Sequence, residues 1–518
     1  MIGTIFSLIP PLLAIVMVLL TRRVILSLGV GVISAALLLE SFSPVATVST
    51  ILASIRDIFI SDGGLNTWNV YILLFLFLLG IISAFITISG GSRAFGEWAL
   101  KRVKTRVGAQ IVTAFLGIII FIDDYFNALA VGQVSRPITD RHRVSRAKLA
   151  YIIDSTSAPI CVVSPISSWG AYIIGIIGTI FATHQITQYT AFSAFIQMIP
   201  LNFYVITAIL LVFVTAIFNI NIGSMKRHEQ MAVKTGQTYN TDKGKIPGEL
   251  SEDLPVSKKG TVLNLIVPII ALVIGTVGAM IYTGIEGTDG TATILDIFEN
   301  TDVATALLYG GIFSVVISFI LFLTQKDLSA GVSGLAVKAG IKSMLPAVYI
   351  LIFAWSIVDL IGQLETGQYL AGLVENSNIN IGWLPAILFV IAGIMAFSTG
   401  TSWGTFGLML PIAGQIMAVI DVSLLLPALA AVLAGSVFGD HCSPISDTTI
   451  LSSTGAGCHH VDHVITQLPY AVIAGVISVI GYIVLGLTGS MIISLVTLLV
   501  TFVIVMIALI TLTRKQSY

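Results

Sequence analysis

Apolar runs of about twenty residues follow one another along almost the whole chain, from Ile2 to Leu512. At about 1.5 Å per residue, a helix of that length crosses a hydrocarbon core roughly 30 Å thick. The first run has no basic residue before it and no cleavage signal after it, which indicates a retained helix rather than a signal peptide. Hydropathy predicts eleven crossings, at residues 2–20, 24–39, 69–90, 149–181, 199–219, 261–283, 303–324, 343–362, 425–455, 467–488 and 490–512.

Two further apolar stretches, 107–135 and 385–419, are too long for one helix and too short for two crossings. Two crossings would need roughly 40 residues plus a turn, so each stretch is expected to form a re-entrant helical hairpin. Basic residues flank the first stretch on both sides, and basic loops share the cytoplasmic side of a membrane. These residues are Arg93, Lys101, Arg102, Lys104 and Arg106 before the hairpin, and Arg136, Arg141, Arg143, Arg146 and Lys148 after it.

This arrangement places all but one of the 25 Lys and Arg residues in the cytoplasm, the exception being Arg56. The loops 182–198, 284–302 and 363–384 contain no Lys or Arg and are predicted to be external. We therefore expect a multi-pass protein of a bacterial-type cytoplasmic (inner) membrane. Its N-terminus would lie outside and its C-terminus in the cytoplasm.

The order of the predicted elements repeats between the two halves of the chain. Each half has three helices, a hairpin and two helices, and five crossings reverse the orientation of the second half, as in an inverted repeat. The predicted fold is an all-α polytopic membrane protein with about eleven transmembrane helices, two re-entrant hairpins and two broken helices. Its expected parts are a first repeat 1–222 (hairpin 107–135, broken helix 149–181), a cytoplasmic linker 223–260, a second repeat 261–488 (hairpin 385–419, broken helix 425–455), and an extra helix and tail 489–518.

The composition is typical of a membrane protein and does not indicate a nucleic-acid-binding or disulfide-rich protein. The chain is 56% hydrophobic and 10% charged, whereas soluble domains carry about a quarter charged residues. A net charge of -1 gives no indication of nucleic-acid binding, and three cysteines imply no disulfide framework. The expected partners are the lipid bilayer and a small ion or small-molecule substrate, with a homodimer as one option for assembly.

Small polar residues and prolines interrupt the first full helix after each hairpin. The segments are AYIIDSTSAPICVVSP from Ala150 and GSVFGDHCSPISDTT from Gly435. Irregular backbone at membrane depth is tolerated only where protein or a water-filled cavity satisfies it, so the two breaks and the two hairpin tips predict one central site. Pro159, Pro165 and Pro444 each free a carbonyl one turn earlier, and carbonyl and hydroxyl oxygens suit hard cations.

Five carboxylates fall in these interruptions, and no Lys or Arg lies within a predicted span. An acidic side chain at membrane depth is costly unless it is paired, protonated or bound to a cation. Any one of these aspartates could instead cap a half-helix, but five together favour binding. Two of them are adjacent in sequence, and adjacent carboxylates tend to share a proton, which suits proton coupling. The predicted cation- or proton-binding residues are Asp123, Asp124, Asp154, Asp440 and Asp447.

Neutral oxygens cluster at the same four places. Interhelical hydrogen bonding explains such residues singly, but their clustering favours a ligand site. We expect substrate- or cation-binding oxygens from Asn127, Ser155, Thr156, Ser157, Ser164, Thr399, Thr401, Ser402, Ser443, Ser446, Thr448 and Thr449. Sodium is predicted at Asp154, Ser157, Asp440 and Ser443. Trp169 and Trp403 are expected to pack or to lie at an interface rather than to contact substrate.

Two motifs suggest other chemistry. Gly400 to Gly404 matches the G-x-S-x-G pattern, but that nucleophile elbow requires a strand-to-helix turn, so an intramembrane serine hydrolase is a remote alternative. A passive channel is another alternative class. A second group, of His, Cys and Asp residues, resembles a transition-metal cluster. Because a predicted helix segment separates its members, an interfacial pH-sensing or structural role is favoured over metal binding. This group comprises His441, Cys442, Cys458, His459, His460, Asp462 and His463.

Four segments resemble the NhaC-type sodium/proton antiporter family of the ion-transporter superfamily. They are FIDDYFNALAVG (Phe121 to Gly132), DSTSAPICVVSPISSWG (Asp154 to Gly170), GTSWGT (Gly400 to Thr405) and GDHCSPISDTTILSSTGAGC (Gly439 to Cys458). The resemblance implies inverted repeats with two hairpins and two broken helices. It also implies no cofactor, with sodium ions and protons as the coupling ions.

The resemblance does not fix the substrate, because the family includes sodium/proton antiporters, a malate/lactate exchanger and amino-acid carriers. We expect a sodium-coupled secondary active transporter and not an enzyme, with sodium/proton antiport by alternating access as the leading hypothesis. The alternative is sodium- or proton-coupled transport of an amino acid or a small carboxylate.

Overall fold

The computed structural model describes the chain except for a small set of positions and short segments. These are residues 22, 62, 122–123, 166, 244–254, 289–292, 326–327, 330, 367, 370–371, 373–380 and 516–518. The described chain is mainly helical. Its strands form one antiparallel pair, Ile60–Ser61 with Gly64–Leu65.

Long helices fill both halves of the chain. The first half contains α1 (Ile9–Thr21), α2 (Val24–Leu39), α3 (Pro44–Phe59), α4 (Thr67–Ile88), α5 (Gly91–Arg102), α6 (Arg106–Ile119), α7 (Asp124–Arg141), α8 (Arg146–Cys161), α9 (Ser168–Thr183), α10 (Ala191–Met198), α11 (Phe203–Ile217) and α12 (Gly223–Thr235). The second half contains α13 (Leu263–Glu286), α14 (Ile294–Glu299), α15 (Val303–Leu323), α16 (Val332–Gln363), α17 (Leu384–Thr399), α18 (Ser402–Ile420), α19 (Leu425–Cys442), α20 (Asp447–Ala456), α21 (His460–Thr488) and α22 (Met491–Lys515). Short 3-10 helices lie at Ile5–Leu8, Ile199–Leu201, Thr241–Lys243, Ile381–Trp383 and Val422–Leu424.

Within the described residues, eight helices are long and apolar enough to cross a membrane. The count becomes nine if α10 and α11, with the 3-10 turn between them, form one span bent by 47°. The protein is therefore an all-α polytopic membrane protein, as the hydropathy predicted. The finer expectation of eleven crossings in an inverted repeat stays a prediction.

All four predicted interruptions coincide with gaps between helices. The stretch 107–135 falls on α6 and α7, and the stretch 385–419 falls on α17 and α18, which are separated by Gly400 and Thr401. Gly400 ends α17 with a φ of 73°, a left-handed conformation that glycine adopts without a steric cost. The two broken helices correspond to α8 with α9 and to α19 with α20.

The break between α8 and α9 begins later than the polar segment suggested. Residues 154–157 lie inside α8, and the chain leaves the helix only after Cys161. Hydroxyls in this segment bond back to the preceding turn, with Thr156 Oγ1 donating to Ile152 O at 2.7 Å. Because these groups are satisfied within the helix, Asp154 sits on regular helical backbone rather than in the break.

The predicted linker 223–260 also contains regular structure. Its first part forms α12, and the residues Met225, Glu229 and Ala232 are buried on one face of that helix. Their spacing of three and four residues is the amphipathic period of a helix packed against a protein surface. Polarity and turn residues predicted a linker here and did not indicate α12, because only this narrow stripe of the helix is buried.

The short helix α20 lies at the centre of the bundle and packs against α7 and α8. A Cβ atom placed on Gly132 of α7 would lie 2.4 Å from the carbonyl of Gly455 in α20. Such an approach is open only to glycine, and small residues commonly bring membrane helices together in this way. The second broken helix is thereby inserted among elements from the first half of the chain.

Candidate functional site

The tip of the second hairpin stretch is held against the break between α19 and α20. Ser443 Oγ donates to Phe397 O at 2.8 Å. A Cβ atom on Gly400 would lie 2.9 Å from Ile445 O, so the two irregular segments touch through their backbones. This contact brings the candidate oxygens of the tip and of the break into one region.

The tip between α6 and α7 is anchored by an amide side chain. The last carbonyls of a helix have no partner within that helix. Asn127 Nδ2 fills this role for α6 by donating to Gly117 O at 2.6 Å and to Ile120 O at 2.5 Å. The Cys161 thiol at the end of α8 donates to Phe121 O at 3.4 Å. The first tip therefore lies beside the end of α8.

Two carboxylates lie on either side of the break between α19 and α20. Asp440 is fully buried in the last turn of α19, and Asp447 is the first residue of α20. The two side chains are near enough to repel each other electrostatically. Asp447 Oδ1 accepts from Thr448 N at 2.9 Å, and its Oδ2 accepts from the Tyr125 hydroxyl at the start of α7. A helix N-terminus is a favourable place for this negative charge.

Asp440 is less completely satisfied than Asp447. Its Oδ2 accepts from Thr448 Oγ1 at 3.0 Å, whereas its Oδ1 has no hydrogen-bond partner among the described residues. A buried charged oxygen without a donor is costly because burial removes the water that would otherwise solvate it. This oxygen is therefore a position at which a proton or a cation would relieve that cost.

Asp154 has a different environment, with three donors from the second half of the chain. Its Oδ1 accepts from Ser452 Oγ at 2.9 Å, and its Oδ2 accepts from His463 Nε2 at 3.2 Å and from the Gln467 amide. Asp154, Ser452 and His463 are fully buried. The carboxylate thus joins α8 to α20 and α21, and Gln467 also donates to His441 O at 3.0 Å.

Asp124 begins α7 and is almost fully buried. Its Oδ1 accepts from the Trp169 indole at 2.8 Å, and that indole is completely buried at the start of α9. Trp169 therefore packs, as expected, and also holds a predicted site residue in place. Its predicted neighbour Asp123 lies outside the described residues.

The predicted neutral oxygens donate mainly to backbone carbonyls. Ser157 Oγ donates to Asp154 O, Ser164 Oγ to Ile160 O, Thr399 Oγ1 to Met395 O, Ser402 Oγ to Ser436 O and Thr449 Oγ1 to Asp440 O. Ser446 Oγ lies 2.8 Å from Thr448 Oγ1 and caps α20. Ser155 is buried in α8, and Thr401 precedes α18 without capping it. A hydroxyl that donates keeps lone pairs, so these oxygens still have acceptor capacity.

The cluster from His441 to His463 lies inside the bundle. His460 and His463 are buried, and His460 Nε2 lies 2.8 Å from Pro444 O in the break. In the part of the chain that the structure describes, no group of three His, Cys, Asp or Glu side chains is placed to hold a metal ion. The pH-sensing or structural role of these residues stays a prediction.

Sequence reasoning missed four side chains that donate to the carboxylates, namely Tyr125, Ser452, His463 and Gln467. A signal existed for two of them, because His463 and Gln467 are four residues apart at the start of an apolar helix and so share one face. Nothing in the sequence indicated that this face meets Asp154, which precedes it by about three hundred residues.

This chain matches one family model and is similar in sequence to several known proteins. A family model described as the Na+/H+ antiporter family matches residues 160–487. An uncharacterized protein of Haemophilus influenzae is 50% identical and covers 94% of this chain and 92% of that protein. A Malate-2H(+)/Na(+)-lactate antiporter of Bacillus subtilis is 31% identical over 37% of this chain and 39% of that protein. An uncharacterized Na(+)/H(+) antiporter of Haemophilus influenzae is 32% identical over 29% of this chain and 32% of that protein.

Proposed function

Because the chain belongs to the Na+/H+ antiporter family, we propose that sodium ions and protons compete for the carboxylates of Asp440 and Asp447. Membership confirms the predicted family and the prediction of a sodium/proton antiporter, which is a membrane transporter and not an enzyme. The family also implies sodium ions and protons as the coupling ions. The residues that bind them are our proposal.

The observation that carries the proposal is the buried Asp440 Oδ1, which has no hydrogen-bond partner among the described residues. Sodium is a hard cation that prefers carboxylate, carbonyl and hydroxyl oxygens, and all three types meet at the break. The Thr448 hydroxyl and the backbone of residues 443–446 supply the neutral ones. A proton on the same carboxylate removes the charge that attracts sodium, so the two ions exclude each other.

Asp154 belongs to the proposed site through its charge. It interacts electrostatically with Asp440, so a cation bound at either carboxylate lowers the repulsion felt by the other. The sequence predicted sodium at Asp154, Ser157, Asp440 and Ser443. Because three donors already satisfy the Asp154 carboxylate, we assign the sodium position to Asp440 and treat Asp154 as the residue that fixes α8 against α20 and α21.

Alternating access would move the two repeats around this site. We propose that the chain is organised as its sequence predicts. Two repeats, 1–222 and 261–488, are joined by the linker 223–260 and followed by the terminal part 489–518. The packing of α20 against α7 and α8 supports a shared site, because it brings the second broken helix next to helices of the first half. The predicted topology has the N-terminus outside an inner membrane and the C-terminus inside.

A second candidate is exchange of a small carboxylate or an amino acid against sodium or protons. It is favoured by the similarity to a malate/lactate antiporter, which covers 37% of this chain. In that case, the half-helix N-termini at the breaks would face the carboxylate of the substrate.

Sodium uptake into proteoliposomes with an acidic interior tests the proposal. We expect proton efflux to drive uptake in the wild type, and we expect Asp440→Asn to abolish it. Asp359→Asn, at an exposed position of α16, is the matched control and should transport normally. Normal transport by Asp440→Asn would contradict the assignment. Uptake that requires added malate, lactate or an amino acid would establish the second candidate.

A further inference from the structure

A cavity of about 470 Å³ opens between α4, α9, α14 and the start of α18. Its volume lies within the usual range for small-molecule sites, roughly 300 to 1,000 Å³. Aromatic side chains dominate its wall, with Trp68, Tyr172, Phe298 and Trp403 among the lining residues. None of the described residues that line it is Lys or Arg.

The aromatic residues form a connected group around Trp403. The ring of Trp403 lies 4.9 Å from that of Tyr172 and 6.4 Å from that of Trp68, measured between centroids. Trp68 and Tyr172 keep 42% and 38% of their surface exposed, so their rings are accessible from the cavity. Rings at different inclinations around one space can present their negative faces to a single cation.

One segment that contributes to the wall is acidic in sequence. The segment 284–302, which contributes Phe298 and Asn300 to the wall, contains five acidic residues and no Lys or Arg. An acidic segment favours the approach of cations over that of anions. The aromatic residues of the wall and the composition of this segment therefore favour the same ligand class, a cation that also has apolar surface.

We infer that this cavity binds an organic ammonium ion by cation–π contacts with Trp68, Tyr172 and Trp403. A sodium ion is a weaker fit, because hard cations prefer carboxylate oxygens and none of the described residues that line the cavity is Asp or Glu. This site is separate from the carboxylates of the breaks. Binding of an organic ammonium ion here would be a function additional to sodium/proton exchange.

The test uses the purified full chain in lipid nanodiscs and reads ligand binding from tryptophan fluorescence. The probe is choline, and its neutral isostere 3,3-dimethylbutan-1-ol has the same shape without the charge. We expect choline to bind at least fivefold more tightly than the isostere. Tyr172→Leu should weaken choline binding about two- to fivefold, since each ring contributes an amount of that order, while Tyr172→Phe should retain it.

Tyr349→Leu, an exposed tyrosine on α16, is the matched control and should bind choline like the wild type. Incorporation of fluorinated tryptophan, which weakens the negative face of the ring without changing the fold, should reduce choline affinity and leave the isostere unaffected. Equal binding of choline and its isostere would overturn the inference and identify an apolar cavity for lipid or detergent. The absence of any response to choline would also overturn it. The fluorescence readout is independent of sodium uptake. The choline experiment can therefore contradict the ammonium site without contradicting sodium/proton exchange, and the transport experiment can do the reverse.

Discussion

Replacing Gln467 by methionine tests the network around Asp154 most sharply. Methionine has a similar length but no amide, so the substitution removes the donor to Asp154 Oδ2 and the donor to His441 O. A hydrogen bond to a charged group contributes about 1.5–3 kcal/mol and a neutral one about 1 kcal/mol. We therefore expect Gln467→Met to lower the free energy of unfolding by about 2–4 kcal/mol.

A double-mutant cycle separates this network from simple loss of packing. Asp154→Leu leaves the donors of Ser452, His463 and Gln467 without their common acceptor. In Asp154→Leu/Gln467→Met, neither a buried charge nor its amide donor remains. The double variant should consequently lose less stability than the sum of the two single losses, by at least about 1 kcal/mol.

Equilibrium unfolding in mixed detergent micelles provides the measurement. Gln363→Met is the matched control, because Gln363 is exposed and donates to Asp359 at 3.0 Å on the surface of α16. That control should stay within about 0.5 kcal/mol of the wild type. A similarly small loss for Gln467→Met, or strict additivity in the cycle, would refute the reasoning.

Three further predictions concern packing, topology and pH. Gly132→Val should strongly reduce the yield of folded protein in size-exclusion chromatography, because even a Cβ atom would lie 2.4 Å from Gly455; a normal yield would contradict the close packing of α7 and α20. Cysteines that replace Arg102 and Arg143 should both react with an impermeant thiol reagent only from the cytoplasmic side, and labelling from opposite sides would exclude a re-entrant first hairpin. Burial lowers the pKa of His228 in α12, so the unfolded state binds a proton at this histidine more readily than the folded state does. This residue therefore makes the free energy of unfolding fall as the pH drops below about 6.5. His228→Gln should reduce that fall in unfolding measurements between about pH 5 and 7, and an unchanged pH profile would contradict it.

Hydropathy and charge predicted the places where helices are interrupted, because those signals are local. Proline, glycine and small polar residues mark the gaps that follow α8, α17 and α19, and the apolar composition of the neighbouring helices predicts them directly. The beginning of the first break was misplaced for a local reason as well. Serine and threonine hydroxyls can bond to the preceding turn and so remain inside a helix, as Thr156 does.

The pairing of side chains across the bundle could not be predicted, because it depends on which helix faces meet. The sequence identified Asp154 and Asp447 as candidates but gave no indication of His463 or Tyr125 as their partners. Likewise, the sequence did not indicate α12 within the predicted linker, because a single buried stripe on a charged helix can be recognised only when the surface beneath it is known. Tertiary contact, rather than local propensity, decides these features.

The central claim is that sodium and a proton compete for the carboxylates of Asp440 and Asp447. The most direct test measures the apparent sodium affinity of the wild type in proteoliposomes across the mildly acidic to neutral range. If sodium displaces one proton, the apparent affinity should fall by up to about tenfold for each unit of decreasing pH on the acidic limb. A sodium affinity that stays flat across this range would contradict the account.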